Sequence, residues 1–491
     1  MNREKVVKIL ENVIEVFFLL SIFFIPAGPV LKYIFQSALL LVWLVKLIVK
    51  KGVEFTSTSL DYPILLFSLI GLASVVISYT SFYQAGKGFS NLLEWFLAFY
   101  IAVHLLKRKE QVERMIKVWL GSAVAVICYG LFQLIKNPNS LITSFFTLNS
   151  FLAQYLILII PVVFSLFFFR KTKKEKIFLG IVFLLSWFIL ISTMERGAWL
   201  GIISGLLVMG IILRDKRILI GFPSLLILSL LVSLPFRMQA VSIFWPSYHL
   251  ERIHCWRSCL SMIKEHPLTG VGLGNFRYFY PKYMLAGAEE RLLHAHNIFF
   301  QVAVEMGISG LLVMGIILRD KRILIGVPLL LILSLFIFPA FRARAISIFQ
   351  PRYSLERLYC WRSCLSMIKD HLLTGVGLGN FRYFYPKYML PGAEVKLLHA
   401  HNIFFQVAVE MGIPGLLSFL WILFLFFKDA GLSLQQNEYL RTVGAGLSVG
   451  IIAILITSFF HDIFHSRQIA TLIWYVIGTV TAIKNIRQKA E

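Results

Sequence analysis

The sequence predicts an all-α, polytopic membrane protein, and three observations predict it. Of the 491 residues 58% are hydrophobic and only 15% charged, with a mean hydropathy of +0.78. Ordinary soluble domains are about half apolar and a quarter charged. Apolar runs long enough to cross a bilayer, about 20 residues each, recur along the whole chain. Basic clusters fall between them, which gives the net charge of +23 a positional meaning. They follow the pattern of cytoplasmic turns, whereas a nucleic-acid-binding chain would carry a basic domain apart from its spans.

Taken in order, the apolar runs place spans near 9–26, 30–49, 62–79, 86–106, 115–135, 148–169, 176–193 and 197–213. Six more lie near 217–235, 297–318, 322–340, 401–427, 440–460 and 466–484. About 14 crossings is an even number, so both termini share one side. The clusters 3–8, 46–51, 107–114, 170–176, 214–217, 319–322 and 484–489 place that side in the cytoplasm. No small-x-small cleavage site follows the first apolar run, so the first span reads as uncleaved.

Two segments, 235–296 and 341–400, are too long and too polar to cross, and the alternation puts both outside. The first holds Arg237, Arg252, Arg257, Lys264, Arg277, Lys282 and Arg291 against Glu251, Glu265, Glu289 and Glu290. A basic surplus on the outer face runs against the positive-inside bias and invites an anionic ligand. The two segments are also copies. Residues 205–309 repeat as 310–414, about four positions in five identical, and 269–285 equals 374–390 throughout. The chain thus divides into an N-terminal bundle (1–204), a first repeat (205–309), a second repeat (310–414) and C-terminal spans (415–491). A direct repeat of a membrane hairpin is not a solenoid. It reads as about 12 ancestral spans plus a duplicated two-span unit. Cys255 and Cys259 recur as Cys360 and Cys364, at a spacing that shares a helix face. Packing as small hydrophobes fits them better than a bridge within a pair.

Several groups could carry chemistry. Arg196, in Met194-Glu195-Arg196-Gly197-Ala198-Trp199, stands at an outer span end. Its planar fork suits phosphate oxygens, while an interfacial anchor beside an aromatic belt is the plainer reading. Each loop carries an Arg-x-x-x-Trp-Arg element, Arg252 to Arg257 and Arg357 to Arg362, and a glycine cluster, 270–274 or 375–379. The cluster is either an anion-binding nest of backbone N–H groups or a simple turn. It is not a dinucleotide fingerprint, since no strand–helix unit surrounds it. Each loop ends in His-Ala-His-Asn, His294 to Asn297 and His399 to Asn402. A boundary histidine can accept a hydroxyl proton, or the group can simply cap the next helix. No Cys or carboxylate cluster completes a metal site around these histidines. Glu305 and Glu410 lie nine residues further on, as structural locks or functional groups.

His296-Asn297, nine residues, Gly307, two residues, Gly310 resembles the H-[NSQ]-x9-G-x-x-[GTY] signature of O-antigen ligases, and His401-Asn402 through Gly412 to Gly415 fits it equally. Arg-Gly-Ala-Trp at 196–199, Arg-x-x-x-Trp at 252–256 and His-Pro-Leu-x-Gly-x-Gly at 266–272 resemble the same superfamily of O-antigen ligases, polysaccharide polymerases and protein O-oligosaccharyltransferases. The resemblance spans about 60–427. It implies a GT-C-like glycosyltransferase fold in the bacterial inner membrane, with both termini cytoplasmic and large periplasmic loops. It implies a donor glycan on undecaprenyl diphosphate, and lipid A–core or a growing glycan as acceptor. No cofactor or metal enters, and membrane lipid is the one other partner. Arg196, Arg252, Arg357, His296 and His401 become the catalytic candidates. Arg257, Arg362, His294, His399, Asn297 and Asn402 become substrate-binding ones. Such proteins usually carry one large loop, so the duplication is a departure. A ligase is favoured over polymerase and protein transferase. A transporter fits less well, because the repeat is direct and the cations lie in outer loops.

One Arg196 serves one loop at a time. The first copy follows spans 1–8 in undisturbed order and keeps Pro267 where the second has Leu372. The second copy leads into an unmodified helix. The balance inclines to the first. A cysteine introduced into 341–400 is expected to react with a membrane-impermeant thiol reagent from outside. Labelling only after permeabilisation would overturn the orientation.

Overall fold

The computed structural model describes residues 3–51, 55–76, 82–137, 141–169, 172–193, 195–213, 258–259, 261–266, 271, 275–284, 304–305, 351–390, 393, 397–459 and 466–486. Among them the secondary structure is helical throughout. The first helices are α1 (Arg3–Phe23), α2 (Pro29–Lys50), α3 (Asp61–Val76), α4 (Phe82–Leu105), α5 (Lys109–Lys136), α6 (Asn149–Phe169), α7 (Lys173–Ser192) and α8 (Arg196–Leu213). Three shorter or more polar helices follow: α9 (Phe276–Tyr283), α10 (Pro351–Asp370) and α11 (Phe381–Tyr388). The chain ends in α12 (Ile403–Ser433), α13 (Glu438–Thr457) and α14 (Arg467–Asn485).

Eleven of the expected spans thus coincide with a helix; those near 217–235 and 322–340 lie outside the described residues, as does the one near 297–318 apart from residues 304–305. The first helix begins at Arg3, six residues ahead of its expected span. Seven helices (α2, α4, α5, α6, α7, α12 and α13) are long and apolar enough to cross a membrane, and α3 and α8 are shorter apolar ones. The protein is a polytopic all-α membrane protein.

Two compact units make up the chain: residues 1–229 with 356–491, and residues 230–355. These boundaries differ from those of the sequence repeats. In the larger unit α6 and α14 are central: 151–166 and 468–483 are buried without interruption. Apolar side chains alone do not drive helices together in lipid, so close contact must come from small residues. Gly201 and Gly205 of α8 lie on Ala453 and Val449 of α13, and Gly446 and Gly450 of α13 lie on Val162 and Leu158 of α6. Each pair is a Gly-x-x-x-Gly step.

Polar contacts gather the helix ends. At one end Lys46 pairs with Glu11 (2.7 Å), Arg114 with Glu15 (2.7 Å) and Lys484 with the buried Asp429 (2.7 Å). These contacts bring the basic clusters of α2, α5 and α14 to that end. Within the bundle Lys32 is fully buried and pairs with Glu94. Glu94 also accepts from Tyr33 (3.1 Å) and Thr471 (3.0 Å). Desolvating two charges is costly, and removing one partner of such a pair costs about 3–5 kcal/mol.

A Cβ on Gly450 would stand 2.9 Å from the Leu158 carbonyl oxygen. Gly450→Leu is therefore expected to destabilise the bundle by about 1–3 kcal/mol, read by unfolding in detergent. Gly86→Leu, with no atom within 4 Å of the added carbon, is the control and should be near neutral.

Candidate functional site

The site starts from a break in α12. Pro414 has no N–H, so the Glu410 carbonyl loses its helical donor. Gly412 takes φ 70°, ψ −176°, a left-handed φ that suits glycine. The freed groups pair with the glycine-rich segment instead. Ile413 N–H donates to Leu372 O (2.8 Å), Val376 N–H to Val409 O (2.8 Å) and Gly377 N–H to Glu410 O (3.1 Å). The two backbones lie so close that a Cβ on Gly375 would stand 2.4 Å from the Glu410 carbonyl carbon. The glycine cluster is thus a turn whose N–H groups at 376 and 377 are spent on α12, and the nest reading falls away for those two.

The same segment docks on the bundle. Leu378 reaches Gly71 of α3 and Gly88 of α4, and Arg382 Nη2 donates to Gln84 Oε1 (3.0 Å). Beneath it Cys360, Cys364, Met367, Val376, Phe381, Phe384, Tyr385, Ala400 and Val409 form one core. Both thiols are free and buried, and the hydrogen bond to Cys360, with burial, pushes the Cys364 thiol up. They pack as small hydrophobes, as the spacing suggests. Ala400 is held from both sides: Trp361 Nε1 donates to its oxygen (3.0 Å) and its N–H donates to Gln406 Oε1 (2.7 Å).

These contacts leave a cleft of about 290 Å³ walled by α3, α4, α12, the glycine-rich turn and the start of α14. Lys87, Arg382, Arg467, His399 and Glu410 line it. Glu410 is buried and accepts from Gln406 Nε2 (2.8 Å) and Phe381 N–H (3.4 Å), so it locks α11 to α12 and adds one acid among the cations. Arg467 donates to the Tyr33 hydroxyl (3.2 Å), which donates to Glu94. The buried Lys32–Glu94 network therefore orients a cleft cation. The rings of His399 and His401 are 4.1 Å apart, and the His401 N–H donates to His399 Nδ1 (3.3 Å). That bond leaves the proton of a neutral His399 on Nε2. Among the described residues no group of three or more His, Cys, Asp or Glu could hold a metal ion. The arrangement can bind a multiply charged anion beside a proton acceptor.

Of the expected site residues, His399 lines the cleft and His401 adjoins it. Asn402 is a helix cap, its oxygen accepting from Phe404 N (2.9 Å) and Phe405 N (3.2 Å). Arg362 is exposed on α10 and does not line the cleft. Arg357 lies on α10 and Arg196 opens α8, with side chains outside the described residues. Arg252, Arg257, His294, His296 and Asn297 lie wholly outside them. The backbone does bring α8 toward the histidines: Thr457 Oγ1 donates to Gly197 O (3.2 Å), and Ile403 N–H donates to Ser458 O (3.1 Å). Lys87, Arg382 and Arg467 were not anticipated. Lys87 and Arg467 are basic residues at span ends away from the basic clusters, and that was the available signal.

In the smaller unit the first copy repeats the loop core. Val271 N–H donates to Val304 O (2.7 Å), Phe276 stacks on Tyr280 (5.2 Å) as Phe381 does on Tyr385 (5.4 Å), and Glu305 is buried.

The fold and cleft define a polytopic membrane protein that presents a cationic, histidine-bearing site at one end of its bundle. Comparison with known proteins points to one family. The profile of the O-antigen ligase family matches twice, over residues 181–315 and 311–420. An O-antigen ligase of Salmonella typhimurium is 25% identical over 276 residues, 52% of this chain and 67% of that protein. Both matches support the superfamily of O-antigen ligases and polymerases.

A Cβ on Gly412 would stand 2.6 Å from the Leu373 oxygen. Gly412→Ala is expected to cost about 1–3 kcal/mol and to expose the 371–380 turn to limited proteolysis. Gly431→Ala, on the same helix with nothing within 4 Å, should change neither. Equal behaviour of the two variants would contradict the kink as the loop's anchor.

Proposed function

We propose that this protein is a glycosyltransferase of the O-antigen ligase type, moving a glycan from undecaprenyl diphosphate to an acceptor hydroxyl. The observation that carries the reading is the cleft: three cations and His399, whose ring lies 4.1 Å from that of the signature residue His401. The acceptor oxygen attacks the anomeric carbon, forming the new glycosidic bond as the bond to the diphosphate oxygen breaks. His401, the signature residue, takes the acceptor proton, while His399, its neighbour on the cleft wall, offers its Nε2–H to the substrate. Lys87, Arg382 and Arg467 meet the negative charge that grows on the leaving diphosphate, as preorganised cations do, and Arg196 joins them from the first residue of α8. Charge neutralisation by these side chains leaves no step that needs a divalent metal.

The second copy supplies this site, the reverse of the order-of-synthesis expectation. Its turn meets Gly71, Gly88 and Gln84, and it has Pro414 where the first copy has Ser309. The remaining assignments complete the reading: about 14 crossings, a GT-C-like architecture, the bacterial inner membrane, termini inside and both loops periplasmic. Lipid A–core is the preferred acceptor, with a growing glycan or a protein hydroxyl as alternatives.

The test is transfer by the purified, reconstituted protein from a polyprenyl-diphosphate glycan, with lipid A–core and glycan as competing acceptors and EDTA throughout. His401→Ala is expected to lose about 100-fold or more, and Arg382→Ala and Arg196→Ala at least about tenfold. Arg196→Lys should restore little, because a point charge does not reproduce the bidentate fork. His296→Ala should be mild. Full loss in His296→Ala with an active His401→Ala would transfer the assignment to the first copy. Loss with EDTA, restored by Mg²⁺, would sink the metal-free mechanism.

A further inference from the structure

Exposure along α12 marks where the membrane ends. The helix has 31 residues, about 46 Å at 1.5 Å per residue, against a hydrocarbon core about 30 Å thick. Below the kink Leu417, Leu420, Trp421, Phe424, Phe427 and Leu432 are exposed, and their helical spacing gives one face that borders lipid. Above the kink, from Ile403 to Gly412, every large apolar side chain is buried or half-buried. The kink therefore lies near the boundary of the core. It stands about 25 Å along the helix from the buried Asp429, which pairs with Lys484 toward the other end.

The glycine-rich turn is fixed at this level. Leu372 O accepts from Ile413 N–H (2.8 Å), and the Leu373 carbonyl lies against Gly412. α3 gives a second reading of the depth: Leu378 of the turn meets Gly71, and Leu69, Leu72 and Val76 on that helix are exposed. At this level the turn presents two adjacent leucines, Leu372 at 51% and Leu373 at 70% exposed. Leu372 bonds α12 through its carbonyl, so the turn itself asks for no apolar side chain there. The first copy has Pro267 at the equivalent position. We propose that Leu372 and Leu373 insert among the acyl chains of the leaflet that borders the kink, seating the loop on the membrane. Apolar side chains of interfacial segments enter a bilayer to about 5–10 Å in this way. Insertion follows from the depth of the turn, and needs neither the direction of the termini nor a substrate.

The experiment places the full-length protein in phosphatidylcholine vesicles containing a phosphatidylcholine with a diazirine on its acyl chain. After illumination the adducts are mapped by mass spectrometry, with Phe424 of the exposed α12 stripe as the positive reference. Leu372 and Leu373 are expected to carry adducts from this probe. Leu373→Asp should lower the Leu372 adduct by about threefold or more, because a carboxylate is costly at that depth, and Leu373→Met should keep it. The unaltered protein decides the matter even if Leu373→Asp fails to fold. The idea is overturned if Phe424 is labelled while 372–373 stay bare, whichever segment of protein then covers the leucines. It is overturned as well if only a headgroup-linked diazirine reaches them, or if a folded Leu373→Asp protein labels as before. None of these outcomes depends on glycan transfer, so the two proposals stand or fall separately.

Discussion

The site depends on the exchange of backbone hydrogen bonds between α12 and the glycine-rich turn. A proline inside a spanning helix ordinarily leaves a carbonyl unpaired where no water can reach it, a cost of several kcal/mol in lipid. Here Pro414 leaves the Glu410 carbonyl to Gly377, and the reversed φ of Gly412 turns the Ile413 N–H to Leu372. The helix break and the loop fold are one structure, since neither satisfies its backbone without the other. The same break sets Glu410, Gln406 and Ala400 in a row, and that row places the His399–His401 pair beside the cleft. The signature thus has a physical reading: His401 at positive φ, Asn402 as cap, Gly412 as kink. Gly415 packs where a Cβ would stand 2.4 Å from that of Met411.

Holding cations in a cleft at the membrane is costly unless something fixes them. Arg382 is held by Gln84, and Arg467 by Tyr33, itself bonded to Glu94 and so to the fully buried Lys32. A buried ion pair is weak evidence for stability taken alone. Its use here is geometric, because it ties α2, α4 and α14 at the point where α14 contributes its cleft arginine. The small-residue contacts of α13 with α6 and α8 do the corresponding work on the other flank. They carry Thr457 and Ser458 to the first turns of α8 and α12.

Helix positions were legible because apolar length and basic punctuation are local signals, and most described helices fall within a few residues of the expected spans. The loop cores were legible as repeats, and the free, packed cysteines followed from their spacing. The cleft was only half legible. His399 and His401 announced themselves by motif, but Lys87, Arg382 and Arg467 did not, since each becomes a site residue only through contacts between α3, α4, α11 and α14. Asn402 was given a ligand-binding role when its oxygen is occupied by two backbone N–H groups. A cap is one of the two roles that the sequence leaves open for this group.

The duplication poses a problem of partners rather than of folding. Each copy makes the same local core, down to the paired stacking of Phe276 on Tyr280 and Phe381 on Tyr385 and the equivalent bonds of Val271 and Val376. The loop fold is therefore encoded within the repeat. The cleft is not, because Gln84, Lys87, Gly88 and Arg467 come from helices outside it that occur once. One bundle completes one site. The second copy meets those partners through Leu378 and Arg382, and it alone has the proline that forces the Glu410 carbonyl out of the helix. The duplication thus adds a second loop of the same local core, while the cleft is built where the second copy's turn packs on α3 and α4.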